Sequence, residues 1–296
     1  MAKLLLGKEV NASLLEDLAQ RTEILKAKGI TPKLAMVRCG EKPSDISYEK
    51  VVETKAAPAG VEIEKHLLPE DVSAEKIKQV IEKINNDPKI HGCLILCPLP
   101  EHLRAYQDDI FSVLSPEKDV DGMTEASAAS LLVGGKRGFA PCAAEACMQI
   151  LRHYNIDLIG KKVTVIGRSL IVGKPAALLL SAADATVTLC HRKTADLAEH
   201  TRSADIIISS AGELGILTEK HVSEGQTVID VSMNWDRDKI NSKGGRGAMA
   251  GDAVFESVEP IVDAITPVPG GVGAVTSTIL IKHTVESAER IYKTRE

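Results

Sequence analysis

Short apolar runs alternate with amphipathic stretches almost throughout the chain, a pattern that predicts β-α-β units and a parallel sheet. In the first half the apolar runs Lys33–Arg38, Glu62–Leu68 and Gly92–Leu96 are expected as strands, and the stretches Ala12–Lys28, Asp45–Ala57 and Ala74–Asn86 as helices. The last of these places Ile77, Val80, Ile81 and Ile84 on one face, the spacing of a helix buried along one stripe. The pattern changes character after Pro141-Cys142-Ala143-Ala144-Glu145, where a second series begins. Its strands, Lys162–Ile166, Thr186–Cys190, Ile206–Ser209 and Thr227–Val231, are mostly β-branched and continuous, as for strands covered on both faces. Asn234–Asp252, rich in Lys, Arg, Gly and Asn, reads as an exposed loop, and Thr276 to about Lys293 as a final helix. The fold class is α/β in two lobes. Residues 1–145 form one, joined by a C-terminal helix 275–296, and residues 146–274 form the other, a parallel-sheet lobe.

Composition narrows the classes of partner. A chain of 296 residues with 44% hydrophobic and 26% charged residues can bury two cores, and a net charge of -5 gives neither a nucleic-acid footprint nor a membrane-surface patch. Small molecules are the expected partners. No apolar run reaches the roughly 18–20 residues of a membrane span, and the N-terminus lacks the features of a signal peptide, so a cytoplasmic protein is expected. The six cysteines, Cys39, Cys93, Cys97, Cys142, Cys147 and Cys190, are expected to be reduced and buried. Cys93 and Cys97 are too far apart for a Cys-x-x-Cys pair, and no His or Cys falls at zinc spacing, so no metal is expected.

The sharpest local motif is Val163-Thr164-Val165-Ile166-Gly167-Arg168-Ser169-Leu170-Ile171-Val172-Gly173-Lys174-Pro175: a strand, a turn with two glycines and a helix start. Glycine admits close approach of a pyrophosphate, and the helix N-terminus offers it free N–H groups. The Gly-x5-Gly spacing departs from the usual G-x-G-x-x-G, so the motif alone marks a dinucleotide site only weakly. An NAD-binding unit carries an acid at the end of its second strand; here that strand ends Leu189-Cys190-His191-Arg192-Lys193. The basic cluster suits a 2′-phosphate, with Arg168 adding to it, and favours NADP over NAD. Read alone, the cluster also fits a solvated strand end. Ligands of open α/β sheets bind beyond the carboxyl ends of strands, so Ser210-Ala211-Gly212 and Val231-Ser232-Met233-Asn234 are expected to offer backbone contacts.

Taken with these features, Lys118-Asp119-Val120-Asp121-Gly122, Gly167-Arg168-Ser169 with Val172-Gly173-x-Pro175, and Thr266-Pro267-Val268-Pro269-Gly270-Gly271-Val272-Gly273 resemble the methylenetetrahydrofolate dehydrogenase/cyclohydrolase family over nearly the whole chain. Pro98-Leu99-Pro100 and Gly251-Asp252-Ala253-Val254-Phe255 support the resemblance. It implies a homodimer of two-lobed chains with a cleft, a folate-binding catalytic lobe and a Rossmann-like NADP lobe. It also implies oxidation of 5,10-methylene-tetrahydrofolate to the methenyl cation. Asp121 matches the aspartate that hydrogen-bonds the pterin, Tyr48 the active-site tyrosine, and Pro269, Gly270 and Gly271 the loop that shapes the folate pocket. Gly167, Arg168, Ser169, Val172, Gly173, Arg192 and Met233 form the expected cofactor set.

The chain departs from the pattern at the hydrolytic half-site. Bifunctional members carry a lysine four residues after the tyrosine, where this chain has Val52, and a glutamine where it has Leu96. Ala143 stands where the family's Pro-Cys-Thr segment has threonine. Hydride transfer needs no protein acid or base at the reacting carbon, so the expectation is a dehydrogenase whose cyclohydrolase step is weak or lost. The alternatives are the usual bifunctional enzyme and a catalytically silent nucleotide- or folate-binding regulator.

Overall fold

The computed structural model describes residues 1–135, 137–240 and 245–293. In chain order the strands are β1 (Lys3–Leu4), β2 (Lys33–Cys39), β3 (Glu62–Leu68), β4 (Gly92–Ile95), β5 (Lys162–Ile166), β6 (Thr186–Cys190), β7 (Ile206–Ser209), β8 (Thr227–Asp230), β9 (Asn234–Ile240), β10 (Arg246–Ala250) and β11 (Ala264–Ile265). They fall into two compact units. One holds Met1–Asn11 and Ala143–Thr276, the other Ala12–Cys142 and the chain from Ser277.

The second of these units is built on a parallel three-stranded sheet in the order β3-β2-β4. Central β2 is almost wholly buried, whereas edge strand β3 is largely solvated. The helix Ala74–Asn86 lays Ile77, Val80, Ile81 and Ile84 into one cluster with Ala35, Val37, Cys93 and Ile95. Each such side chain stabilises the fold by roughly 1.5–3 kcal/mol. Ser73 caps the start of that helix by accepting the Lys76 N–H at 3.3 Å. Its other end is closed by Lys118, whose Nζ donates to the carbonyls of Ile84, Asn85 and Asp87 at 2.6, 2.9 and 2.7 Å. The helix Thr276–Lys293 lies almost entirely in this unit; residues 294–296 of the expected helix lie outside the described residues.

The other unit carries a parallel six-stranded sheet in the order β1-β11-β8-β7-β5-β6. From β5 the chain steps to β6 on one side, then returns to lay β7 on the other. This reversal opens a crevice at the carboxyl ends of β5, β6 and β7.

Several expectations are corrected here. Residues 1–11 belong to the six-stranded unit, because β1 extends its sheet beside β11. The first helix starts at Gly7, ahead of Ala12. Thr186–Cys190 is not covered on both faces: β6 is the sheet edge, and only Cys190 in it is buried. Asn234–Asp252 is not simply a loop, since β9 and β10 pair antiparallel. Residues 241–244 of that segment lie outside the described residues. The hairpin's strands carry exposed residues on both faces, so they show no apolar alternation to read; Gly247, at φ +91°, sits under Trp235 where a Cβ would come within 2.7 Å of the indole. Cys97 is exposed, while the other five cysteines are buried. No helix among the described residues is long and apolar enough to cross a membrane.

Candidate functional site

Beyond the ends of β5, β6 and β7 lies a cavity of about 460 Å³. Gly167, Arg168 and Ser169 line it from the first turn, His191, Arg192 and Lys193 from the second, and Ser210, Ala211 and Glu213 from the third. The first turn depends on its glycines. Gly167, at φ +115°, donates its N–H to the Cys190 carbonyl at 2.9 Å, and a Cβ on it would lie 2.4 Å from the Ser210 carbonyl oxygen. A Cβ on Gly173 would lie 2.1 Å from the Gly167 carbonyl oxygen, so the helix Gly173–Ala182 can start directly beneath the turn. Ser169 closes the loop by accepting the N–H groups of Val172 and Gly173 at 3.1 and 3.4 Å. Arg168 and Lys193 form no ion pair among the described residues, and Arg192 faces Glu213 at 3.9 Å. Val172, Gly173 and Met233 do not line this cavity. Met233 is largely exposed and lies near Gly273, where an added Cβ would be 3.0 Å from its sulfur.

Two buried carboxyl groups organise the turns. Asp252, fully buried, accepts Ser209 Oγ, Ala211 N and Ser232 Oγ on Oδ2 at 2.9, 2.7 and 2.8 Å, and Glu213 N and Asn234 Nδ2 on Oδ1 at 2.8 and 3.1 Å. It thereby fixes the turn after β7 to the turn after β8. Asp230, at the end of β8, accepts the backbone N–H groups of Ser232, Asp252 and Ala253. Burial pushes its carboxyl up to about 7 against those hydrogen bonds. Its own N–H donates to Thr266 Oγ1 at 2.7 Å, which anchors the start of the Pro267–Gly271 loop. Farther along, Gly7 N donates to the Gly270 carbonyl at 2.9 Å, so Pro269, Gly270 and Gly271 are held in the six-stranded unit. Sequence reasoning missed Asp230 and Asp252 as organisers and Glu213 as a lining residue. The available signal was an acid inside Gly251-Asp252-Ala253, where an apolar strand end would otherwise be expected.

Within the three-stranded unit, Lys118–Gly122 separates into scaffold and one chemical group. Lys118 caps a helix, as described, and Val120 is fully buried. Asp119 accepts from Met123 N, Thr124 N, Thr124 Oγ1 and Ser127 Oγ, which fixes the start of the helix Glu125–Leu132. Gly122 adopts φ +70°, with a would-be Cβ 2.6 Å from the Ala140–Pro141 peptide. Asp121 is the exception: half-buried, its carboxyl is pushed up to about 6 by desolvation and by Asp119, while a hydrogen bond with the Cys142 thiol opposes the shift. Tyr48, half-buried on the helix Pro43–Ala56, has its phenol pushed well above the ordinary value by burial, with Asp121 and Cys142 adding to it. Those mutual effects bring Tyr48, Asp121 and Cys142 into one neighbourhood.

The helix of Tyr48 buries Asp45, Glu49, Val52 and Ala56 along one face. Glu49 Oε1 meets Arg38 Nε at 2.8 Å, and both side chains are buried. Val52 is fully buried, and Leu96, whose N–H donates to the Val37 carbonyl at 2.9 Å, is 5% exposed. Lys50 is exposed. Positions 52 and 96 are therefore packed apolar, and neither side chain carries a polar atom.

Comparison with known proteins finds family models for both halves of the chain. Residues 5–121 match the family model described as "Tetrahydrofolate dehydrogenase/cyclohydrolase, catalytic domain", and residues 141–292 the one described as its "NAD(P)-binding domain". The bifunctional protein FolD of Carboxydothermus hydrogenoformans is 44% identical over 98% of each chain. That of Clostridium botulinum (strain Langeland) is 42% identical over 98% of this chain and 99% of its own. Among solved structures, the Campylobacter jejuni FolD enzyme superposes with a TM-score of 0.89 at 37% identity, covering 98% of this chain and 99% of its own. The Trypanosoma brucei enzyme, solved with NADP and an inhibitor, gives 0.88 at 31% identity, covering 100% and 99%. The chain belongs to the tetrahydrofolate dehydrogenase/cyclohydrolase family.

Proposed function

We propose that this family member is an NADP-dependent 5,10-methylenetetrahydrofolate dehydrogenase whose cyclohydrolase step is weak or absent. The observation that carries the reading is a contrast within the three-stranded unit: Asp121 presents a desolvated carboxyl beside Tyr48, while positions 52 and 96 hold buried Val and Leu. Hydrolysis of a methenyl carbon needs polar groups that polarise it and place water. Hydride transfer needs donor and acceptor carbons aligned, and no protein acid or base at that carbon.

The nucleotide cavity fits a dinucleotide phosphate. Gly167 lets the first turn pack directly against Ser210, where a Cβ would not fit, and Arg168 from that turn with Arg192 and Lys193 beyond the end of β6 gathers positive charge around the cavity. In this reading Gly167, Ser169, Val172 and Gly173 shape the turn against the pyrophosphate, Arg168 and Arg192 hold the 2′-phosphate, and Met233 approaches the cofactor from the turn after β8. NADP held by these residues would supply the hydride acceptor. Asp121 accepts N–H donors of the pterin edge and fixes its orientation. The half-buried Tyr48 offers its ring and hydroxyl to the folate. The family resemblance also assigns folate contacts to Pro269, Gly270 and Gly271. A homodimer accords with Trp235 and Ile240, exposed on the β9–β10 hairpin, and a native mass measurement tests it.

A second reading, the full bifunctional enzyme, is favoured by relatives named as bifunctional proteins. The test is a spectroscopic assay with methylene-tetrahydrofolate and NADP, repeated with NAD. Reduced cofactor appearing together with methenyl product, faster with NADP, supports the proposal. No reduction with either nucleotide sinks the dehydrogenase reading, and product recovered as formyl-tetrahydrofolate supports the bifunctional one.

A further inference from the structure

The nucleotide cavity contains one acid among its bases. Glu213 lines the wall opposite the β6 end, and its Oε2 lies 3.9 Å from Arg192 Nε. Both side chains are substantially exposed, so this pair does little for stability. The placement of Glu213 is nevertheless built. Its N–H donates to Asp252 Oδ1 at 2.8 Å, and Asp252 is fully buried and bonded to Ser209, Ala211 and Ser232 as well. Glu213 therefore rises from a fixed point in the cavity wall.

We infer that Glu213 is a specificity-determining residue of the nucleotide site: its carboxylate opposes the 2′-phosphate for Arg192 and narrows the preference for NADP over NAD. The inference rests on the reading that Arg192 receives the 2′-phosphate. Two general arguments carry it. A carboxylate next to a phosphate is disfavoured by like-charge repulsion, and a guanidinium that serves a carboxylate is partly neutralised for any other anion. A ribose without the phosphate offers instead a 2′-hydroxyl, which a carboxylate accepts; this is how acids at such sites recognise NAD. Usually the acid sits at the end of the second strand. Here the second strand ends in bases and the acid comes from the turn after β7, so one cavity holds recognition groups for both nucleotides.

The test is calorimetric titration of the apo-protein with NADP, NAD and 2′,5′-ADP, in wild type, Glu213→Gln and Arg192→Gln. Glutamine keeps the size and the backbone bond to Asp252 and removes only the charge. The expected result is a five- to tenfold tighter Kd for NADP and 2′,5′-ADP in Glu213→Gln, no tightening for NAD, and at least tenfold weaker NADP binding in Arg192→Gln. If Arg192→Gln weakens NADP but Glu213→Gln leaves it unchanged or weaker, the role of Glu213 is overturned and the nucleotide reading stands. If Arg192→Gln leaves NADP unchanged, Arg192 does not hold the 2′-phosphate, and the inference falls together with that reading.

Discussion

Ser232 Oγ donates to Asp252 Oδ2 at 2.8 Å and accepts the Gly212 N–H at 3.1 Å, so one hydroxyl joins the buried carboxyl to both turns beside the nucleotide cavity. Asp252 has no cationic partner among its bonded neighbours; backbone and side-chain donors satisfy it. An asparagine would present an NH2 group to some of those donors. Leaving buried donors unpaired costs about 1–3 kcal/mol for each group. Asp252→Asn is expected to lower the Tm and weaken NADP binding roughly tenfold, while the KM for the folate stays within twofold. A melting curve and a nucleotide titration check this. Unchanged nucleotide affinity in a destabilised variant would limit Asp252 to general stability.

Asp121 gives a pH signature with a defined sign. Its folded pKa, about 6, lies above the ordinary value of 3.8, so the native state holds this proton longer than the unfolded chain does. Its contribution to stability therefore falls as pH rises from about 4 to about 6, and the cost is fully present above that window. Asp121→Asn is expected to be more stable than wild type at pH 8, by about 1–3 kcal/mol, with the difference gone near pH 4. The same variant loses folate kcat/KM, and wild-type KM for the folate rises as pH falls below about 6. Denaturant titrations at both pH values, with a pH profile of KM, read out all three effects.

The helix that carries Tyr48 is held by a buried ion pair. Arg38 Nε and Glu49 Oε1 meet at 2.8 Å, and Lys65 adds a longer contact to Glu49 at 3.6 Å. Glu49→Ala leaves Arg38 buried without its carboxylate, at a cost of about 3–5 kcal/mol. Replacing both partners with methionine is expected to recover most of that loss, because the charge to be desolvated goes with the pair. Urea titration of the two variants distinguishes these outcomes. Equal destabilisation would mean that the pair's geometry, rather than an orphaned charge, sets the cost.

How legible these features were in the sequence follows from what each element requires. The strands β2, β5 and β7 occur where apolar runs predict them, because parallel strands with a neighbour on each side need apolar residues on both faces, and the edge strands β3 and β6 also fall where they are expected. The edge position of β6 was hidden: its Thr, Val and Leu suit a strand but do not reveal which neighbours it has. The β9–β10 hairpin is not legible as strands because a two-stranded ribbon exposed on both faces shows no period-two pattern. β1 and β11 are two-residue strands, too short for any pattern. At the site, the glycine turn and the basic strand end announced themselves through residue type. The grip of Asp252 on two turns did not, since its partners are backbone N–H groups and hydroxyls spread from Ser209 to Asn234. In Lys118–Gly122 the motif was readable, but its division into helix caps, core and a single chemical carboxyl required the fold.

The central claim is that hydride transfer survives where the hydrolytic half-site is packed with Val52 and Leu96. The most direct measurement supplies methenyl-tetrahydrofolate itself and follows its absorbance with and without the protein, at a concentration that sustains rapid NADP reduction from the methylene substrate. The account predicts decay at the buffer rate in both cuvettes. Decay many times faster with the protein would contradict it and would show that water is activated there without either polar group.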